Sequence, residues 1–179
     1  MIGRPEANES APYYFTYIDQ IASEDILSVL APQLDETLAL LSAISEEQSL
    51  YRYAPDKWSI RQVLSHVNDT ERVFVCRALW FARGFDSPLP GFDQNIAIAG
   101  AGADEVSWAR QVEEFRGIRT ATVSFFRNLQ PDAWAKSGVA SGNPFTVRAL
   151  AYIVAGHVAH HTAILHDRYL TTGSASVSV

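Results

Sequence analysis

Residues 146–170 read TVRALAYIVAGHVAHHTAILHDRYL. At about 100° per residue, Leu150, Ile153, Val154, His157, His161 and Ile164 share one stripe, because side chains three and four apart lie on one helix face. The stripe is apolar apart from its histidines. A helix of this kind must bury that stripe against other elements, so the rest of the chain is expected to supply them.

Three further stretches carry the same period. Residues 24–44 place Glu24 and Asp25 in the first turn, where acids suit the helix dipole. Ile26, Leu27, Leu30, Leu34, Leu38 and Leu41 follow, and Pro32 is expected to kink this helix or mark a later start. Residues 59–83 open on Ser59 with Gln62, the spacing of a capping box, and end before Gly84, Pro88 and Pro90. Residues 107–129 stop at Pro131. Strand-like alternation is nearly absent. Four helices with one or two long connections predict an all-α fold, an antiparallel four-helix bundle. The connection at 84–106, which contains SPLPGFDQNIAIAGAGADEV, is expected to be a long loop between the second and third helices, a kind of segment that is often functional. Residues 135–144 separate the last two helices. Residues 1–15 are expected to be a flexible lead, 16–170 a single domain and 171–179 a disordered tail.

Composition narrows the function. A chain of 179 residues, 47% of them hydrophobic, can bury a substantial core within one domain. Its 14 basic and 20 acidic residues give a net charge of −6. That balance argues against nucleic-acid binding, which needs basic patches to displace phosphate counterions, and against a polybasic membrane anchor. No apolar run of about 18 residues predicts a membrane span, and the polar N-terminus lacks the apolar core of a secretory signal. A cytoplasmic location is expected. Cys76 is the single cysteine, which excludes an intrachain disulfide framework and a multi-cysteine zinc site.

Five histidines remain: His66, His157, His160, His161 and His166. His157 and His161, four apart, can point at one atom, and His160 borders the same face. His166 falls on nearly the opposite side and is expected at the surface. His66 sits among Val63, Val73, Phe74, Trp80 and Phe81 at helical spacing, so its face is also interior. Imidazoles from two helices can meet in a bundle core and build a metal site there. Three neutral imidazoles leave coordination positions open for water or substrate, and the ligand type suits zinc, nickel, copper or iron. Histidines that merely fill the core are the competing reading.

Three motifs in order, WSIRQVLSHV at 58–67, LPGFDQN at 89–95 and GHVAHH at 156–161, resemble those of the DinB-like family, the DinB/YfiT-like metalloenzymes. The first is similar to the family's helix-opening pattern with its first metal histidine. The second is similar to a loop of one branch, and the third to the closing histidine signature. The resemblance covers residues 24–170. It implies a four-helix bundle with a divalent metal, zinc or nickel in many members, on His66, His157 and His161, with His160 as a non-ligand neighbour, and a homodimer. Some relatives transfer low-molecular-weight thiols, such as bacillithiol or mycothiol, onto electrophiles. The all-histidine set is more like the bacillithiol-transferase branch than a thiol-dependent isomerase with glutamate at the position of His157. The expected function is metal-dependent thiol (S-)transferase or hydrolase chemistry on a small molecule; a non-catalytic metal- or ligand-binding stress-response protein is the alternative.

Helix phase supplies further candidates. Metal-bound histidines usually donate their second N–H to a carboxylate or another acceptor, and Asp69 and Thr70 border the face of His66. Asp69 also reads as a solvated helix carboxylate. Asp93 could line the site or cap a turn, and His160 is a weak catalytic candidate. Arg77, further along the stripe, could bind an anionic substrate or thiol cofactor, or simply be ion-paired. Tyr13, Tyr14, Phe15 and Tyr17 form an aromatic cluster suited to a lid, a dimer face or the core. Trp58, Trp80, Trp108 and Trp134 are expected between helices, and Cys76 is expected to be a buried structural thiol.

Overall fold

The computed structural model describes residues 2–171. A single turn, α1 (Phe15–Ile18), precedes α2 (Leu27–Ser42) and α3 (Ile60–Ala82). A short helix α4 (Gln94–Ala101) leads to α5 (Trp108–Arg127), and a hairpin of β1 (Ser137–Ala140) and β2 (Asn143–Thr146) leads to α6 (Val147–Ile164). α6 continues as a π-helical turn, Leu165–Leu170. The fold is therefore mostly helical but not purely all-α.

Local chemistry sets the helix starts. Ser59 and Gln62 cap each other at the head of α3, which satisfies two of the N–H groups a helix start leaves unpaired. The Thr146 hydroxyl accepts from Ala149 N at 3.0 Å at the head of α6. α2 begins ahead of Pro32, so the proline marks no start; its missing N–H removes the bond that would reach the Ser28 carbonyl.

Two connections differ from the sequence expectation. The 84–106 segment is not one long loop, because Asp93 caps α4 by accepting from Asn95 N and Ile96 N at 2.8 and 3.2 Å. Residues 137–146 form the hairpin, turning through Ser141 and Gly142 at φ 52° and 73°. Positive φ at both turn residues matches the twist of a two-residue hairpin. Leu89 adds to its edge through Leu89 N to Val139 O at 2.9 Å and Ser141 N to Leu89 O at 3.1 Å.

The lead segment, expected to be flexible, is tied to the bundle. The Glu9 carboxylate accepts from Arg148 Nε at 3.0 Å and from the Thr146 hydroxyl at 2.6 Å, and Gly3 N donates to Glu24 O at 3.0 Å. Apart from Thr171, the expected tail lies outside the described residues.

In the bundle α6 packs on α3, α5 packs on both α2 and α3, and α2 reaches α6. α3 and α6 run antiparallel: Tyr169 OH donates to Trp58 O at 2.8 Å at one end. At the other end Lys136, just before the hairpin, donates through Nζ to Ala82 O at 3.1 Å. The core divides into two apolar clusters, one around Leu30, Phe81, Phe126 and Leu150, the other around Leu41, Leu64, Phe115 and Leu165. At or near the boundary between them along each long helix fall buried polar residues: Gln33 on α2, His66 and Glu71 on α3, Arg119 on α5, His157 on α6. No described helix is long and apolar enough to cross a membrane.

Candidate metal centre

His66 lies two turns into α3, and His157 and His161 lie one turn apart near the end of α6. Antiparallel packing of these helices brings the rings together. His66 Nε2 stands 3.1 Å from His157 Nε2, and His161 Nε2 stands 3.1 Å from the same atom. One nitrogen from each ring lies within 4.8 Å of the others. His66 and His157 are 5% and 3% exposed.

The environment keeps these imidazoles neutral. Burial lowers the His66 pKa to about 4 and, with the nearby His66 and His160, the His161 pKa to about 3. His157 is lowered well below the ordinary imidazole range, first by burial and then by the neighbouring imidazoles. Neutral rings keep a lone pair each, the form a metal ion requires. His66 Nδ1 is 3.2 Å from the Thr70 hydroxyl, so an Nδ1–H there leaves Nε2 as the free lone pair. His161 Nδ1 is buried without a hydrogen-bond partner among the described residues.

These observations fit a metal. Nitrogens held about 2.0–2.1 Å from one ion at tetrahedral angles stand about 3.3 Å apart, close to the separations of the two contacts found. Three lone pairs turned toward one another repel unless a cation or a shared proton lies between them.

The shell around the rings comes from several elements. The Trp58 ring lies 5.1 Å from His66, and Tyr17 lies 5.2 Å from His157 and 5.4 Å from His160. Tyr17 gets this close because residue 156 is glycine: a Cβ there would fall 2.0 Å from Tyr17 O. Burial and the Tyr13 hydroxyl, 3.0 Å away, raise the Tyr17 pKa. Beside the histidines opens a cavity of about 100 Å³, walled by Tyr13, Tyr14, Thr70, Phe74, Arg77 and Ser141 among others.

The other candidates divide. Arg77 lines the same cavity, and burial lowers its pKa while the Tyr14 hydroxyl opposes that shift. His160 packs 5.1 Å from His161 but is not one of the three converging rings. Asp69 turns away to Arg72, at 3.5 Å, and lines a different cavity with Glu114. Asp93 caps α4. His166 is exposed and meets Asp167 at 3.0 Å. Cys76 is exposed, not buried, because its side of α3 faces outward.

Sequence reasoning missed Ser141, whose Ser-Gly turn signal was the available clue, and the buried network that holds the rings in place. In that network Arg119, fully buried, pairs with Glu71 at 2.7 Å and donates to Gln33 Oε1 at 2.7 Å. Gln33 Nε2 donates to Ala155 O at 2.9 Å, two residues before His157. Nothing in the spacing of residues 33, 71, 119 and 155 announces this contact.

The fold and the converging rings define a helical-bundle protein with a three-imidazole centre. The chain belongs to the DinB superfamily, whose sequence profile matches residues 30–165. Among solved structures it is similar to YfiT from Bacillus subtilis, described as a probable metal-dependent hydrolase with an unusual four-helix bundle topology. That likeness has a TM-score of 0.68 and 14% identity, over 91% of this chain and 89% of YfiT. It is also similar to a mycothiol-dependent maleylpyruvate isomerase, with a TM-score of 0.66 and 14% identity, over 81% of this chain and 61% of that one. At such identities the likeness establishes the fold. No curated protein matches the chain significantly.

Proposed function

We propose that this protein is a metal-dependent enzyme acting on a small molecule, with a divalent ion, zinc or nickel, held by His66, His157 and His161. The observation that carries this reading is the meeting of three neutral imidazoles, His66 and His157 buried at the wall of a cavity and His161 half-buried beside them. A divalent ion bound there would lower the pKa of a thiol or water that joins it. The chain's own part is to hold the rings by burial and by Thr70, and to shield the site with Tyr17 and Trp58.

Thiol transfer is favoured over hydrolysis. No carboxylate lines the cavity among the described residues, so no acidic side chain stands ready to take a proton from water. A thiol, with an ordinary pKa of about 8.5, needs less help. The relatives' names support both readings, since one is a probable metal-dependent hydrolase and the other depends on a thiol.

Elemental analysis of the purified protein and of its His66→Ala, His157→Ala and His161→Ala variants tests the site. About one zinc or nickel per chain in the parent and little in the variants is expected. Turnover is then tested with thiol–electrophile pairs and with esters. A parent that neither carries nor takes up metal would sink the proposal; a metal-loaded parent inert in every pair would favour a binding protein.

A further inference from the structure

The fold buries three arginines, and two of them are matched. Arg61 pairs with Glu46 and Arg119 with Glu71. Arg77, 4% exposed, pairs with no carboxylate among the described residues. Buried charges are ordinarily paired, so this exception asks for a partner.

Its position says where the partner comes from. Arg77 is three turns beyond His66 on α3, about 16 Å of helix axis, and helical side chains lean back toward the N-terminus. The guanidinium carbon sits 5.9 Å from the Phe74 ring, and that ring sits 6.2 Å from His157. The cavity beside the histidines is therefore walled by the guanidinium at one end and by imidazoles at the other.

Two devices aim the group. Nη2 donates to Pro90 O at 3.2 Å and to the Ser141 hydroxyl at 2.9 Å. With the Tyr14 hydroxyl, which also faces the group, these are neutral partners, and they leave part of the five N–H donors of a guanidinium unengaged. Pro90 is placed by the pairing of Leu89 on the hairpin edge. Ser141 is the one non-glycine residue with positive φ among the described residues, a conformation serine rarely adopts. Such departures gather at functional sites.

We propose that Arg77, aimed by Pro90 and Ser141, is an anion subsite that takes a carboxylate, so that the molecule acted on at the histidines is a small organic acid with its reacting group across the width of Phe74 from that carboxylate. That the anion is part of a substrate rests on the metal-enzyme reading above; the anion site itself does not.

Calorimetric titration with propionate and with its neutral isostere propionamide tests the subsite, on metal-free and on zinc-loaded protein. Propionate is expected to bind at least tenfold more tightly than propionamide to both forms. Arg77→Gln is expected to erase that preference while metal uptake per chain stays at the parent level. Should that variant fail to fold, the Arg77 Nε–H resonance of the parent serves instead, shifting with propionate and not with propionamide. Equal binding of the two probes, an unchanged preference in Arg77→Gln, or an unmoved Arg77 resonance overturns the subsite. A parent that takes up no zinc yet prefers propionate would overturn the metal-enzyme reading and leave the subsite standing. Full zinc uptake without the preference would do the reverse.

Discussion

The buried network of Arg119, Glu71 and Gln33 is the feature whose loss should be felt most. Arg119 and Glu71 are 0% and 2% exposed. They meet through three contacts, Nε to Oε1 at 3.0 Å, Nε to Oε2 at 3.2 Å and Nη2 to Oε2 at 2.7 Å. Glu71→Gln keeps the shape but leaves a guanidinium buried without its counter-charge. Breaking such a pair costs about 3–5 kcal/mol, a large share of the roughly 5–15 kcal/mol that holds a domain. The melting temperature should drop by about 10 °C or more. Urea denaturation followed by circular dichroism measures this as a lower midpoint at unchanged slope. Arg119→Met should cost a similar amount. The double variant Glu71→Leu/Arg119→Met leaves no buried charge, so it should be more stable than the sum of the single losses implies. Gln33 links the pair to the Ala155 carbonyl, so the single variants should also take up metal more weakly. Single variants within about 1 kcal/mol of the parent, or strictly additive losses, would refute this account.

Other consequences are smaller but equally open to measurement. Thr70→Val removes the acceptor facing His66 Nδ1 and should lower metal affinity about 10–100-fold, with Thr70→Ser restoring it; competition with a chelating dye reads the change. Gly156→Ala places a methyl group where Tyr17 O lies 2.0 Å away, so α1 must shift. A loss of about 1–3 kcal/mol and faster proteolysis ahead of α2 are expected. In the metal-free protein the three histidines have folded pKa values below the unfolded 6.5. The unfolded chain therefore binds more protons as pH falls, and stability should be full above pH 6.5 and decline toward pH 4. His66 alone would contribute at most about 3 kcal/mol to that decline. A flat urea midpoint between pH 7 and 4.5 would contradict it.

Much of the fold was legible because helix formation is local. The 3.6-residue period of Leu150, Val154, His157 and His161, the Ser59–Gln62 box and the breaks at Gly84 and Pro131 each act within a few residues. The four long helices start and stop within about three residues of the expected positions, apart from the end of the last, which turns to π-helix after Ile164. The histidine pair at 157 and 161 was legible for the same reason. The π-helical turn, the hairpin at residues 137–146 and helix α4 were not anticipated. The hairpin strands are four residues each, too short for alternation to stand out, and α4 is an eight-residue helix in a stretch rich in alanine and glycine.

The sequence by itself determined where the four long helices lie, which of their faces are apolar, and that histidines lie on two of those faces. Only the tertiary structure decided that His66 meets His157 and His161, that Arg119 finds Glu71 and Gln33, and that Arg77 meets no carboxylate among the described residues while Asp69 and Asp93 turn elsewhere. The physical reason is reach. Periodicity records what each residue does to its neighbours three and four positions away. The partners of a buried polar group are set by how whole helices pack, and the pairs that matter here are separated by 48, 86 and 91 residues.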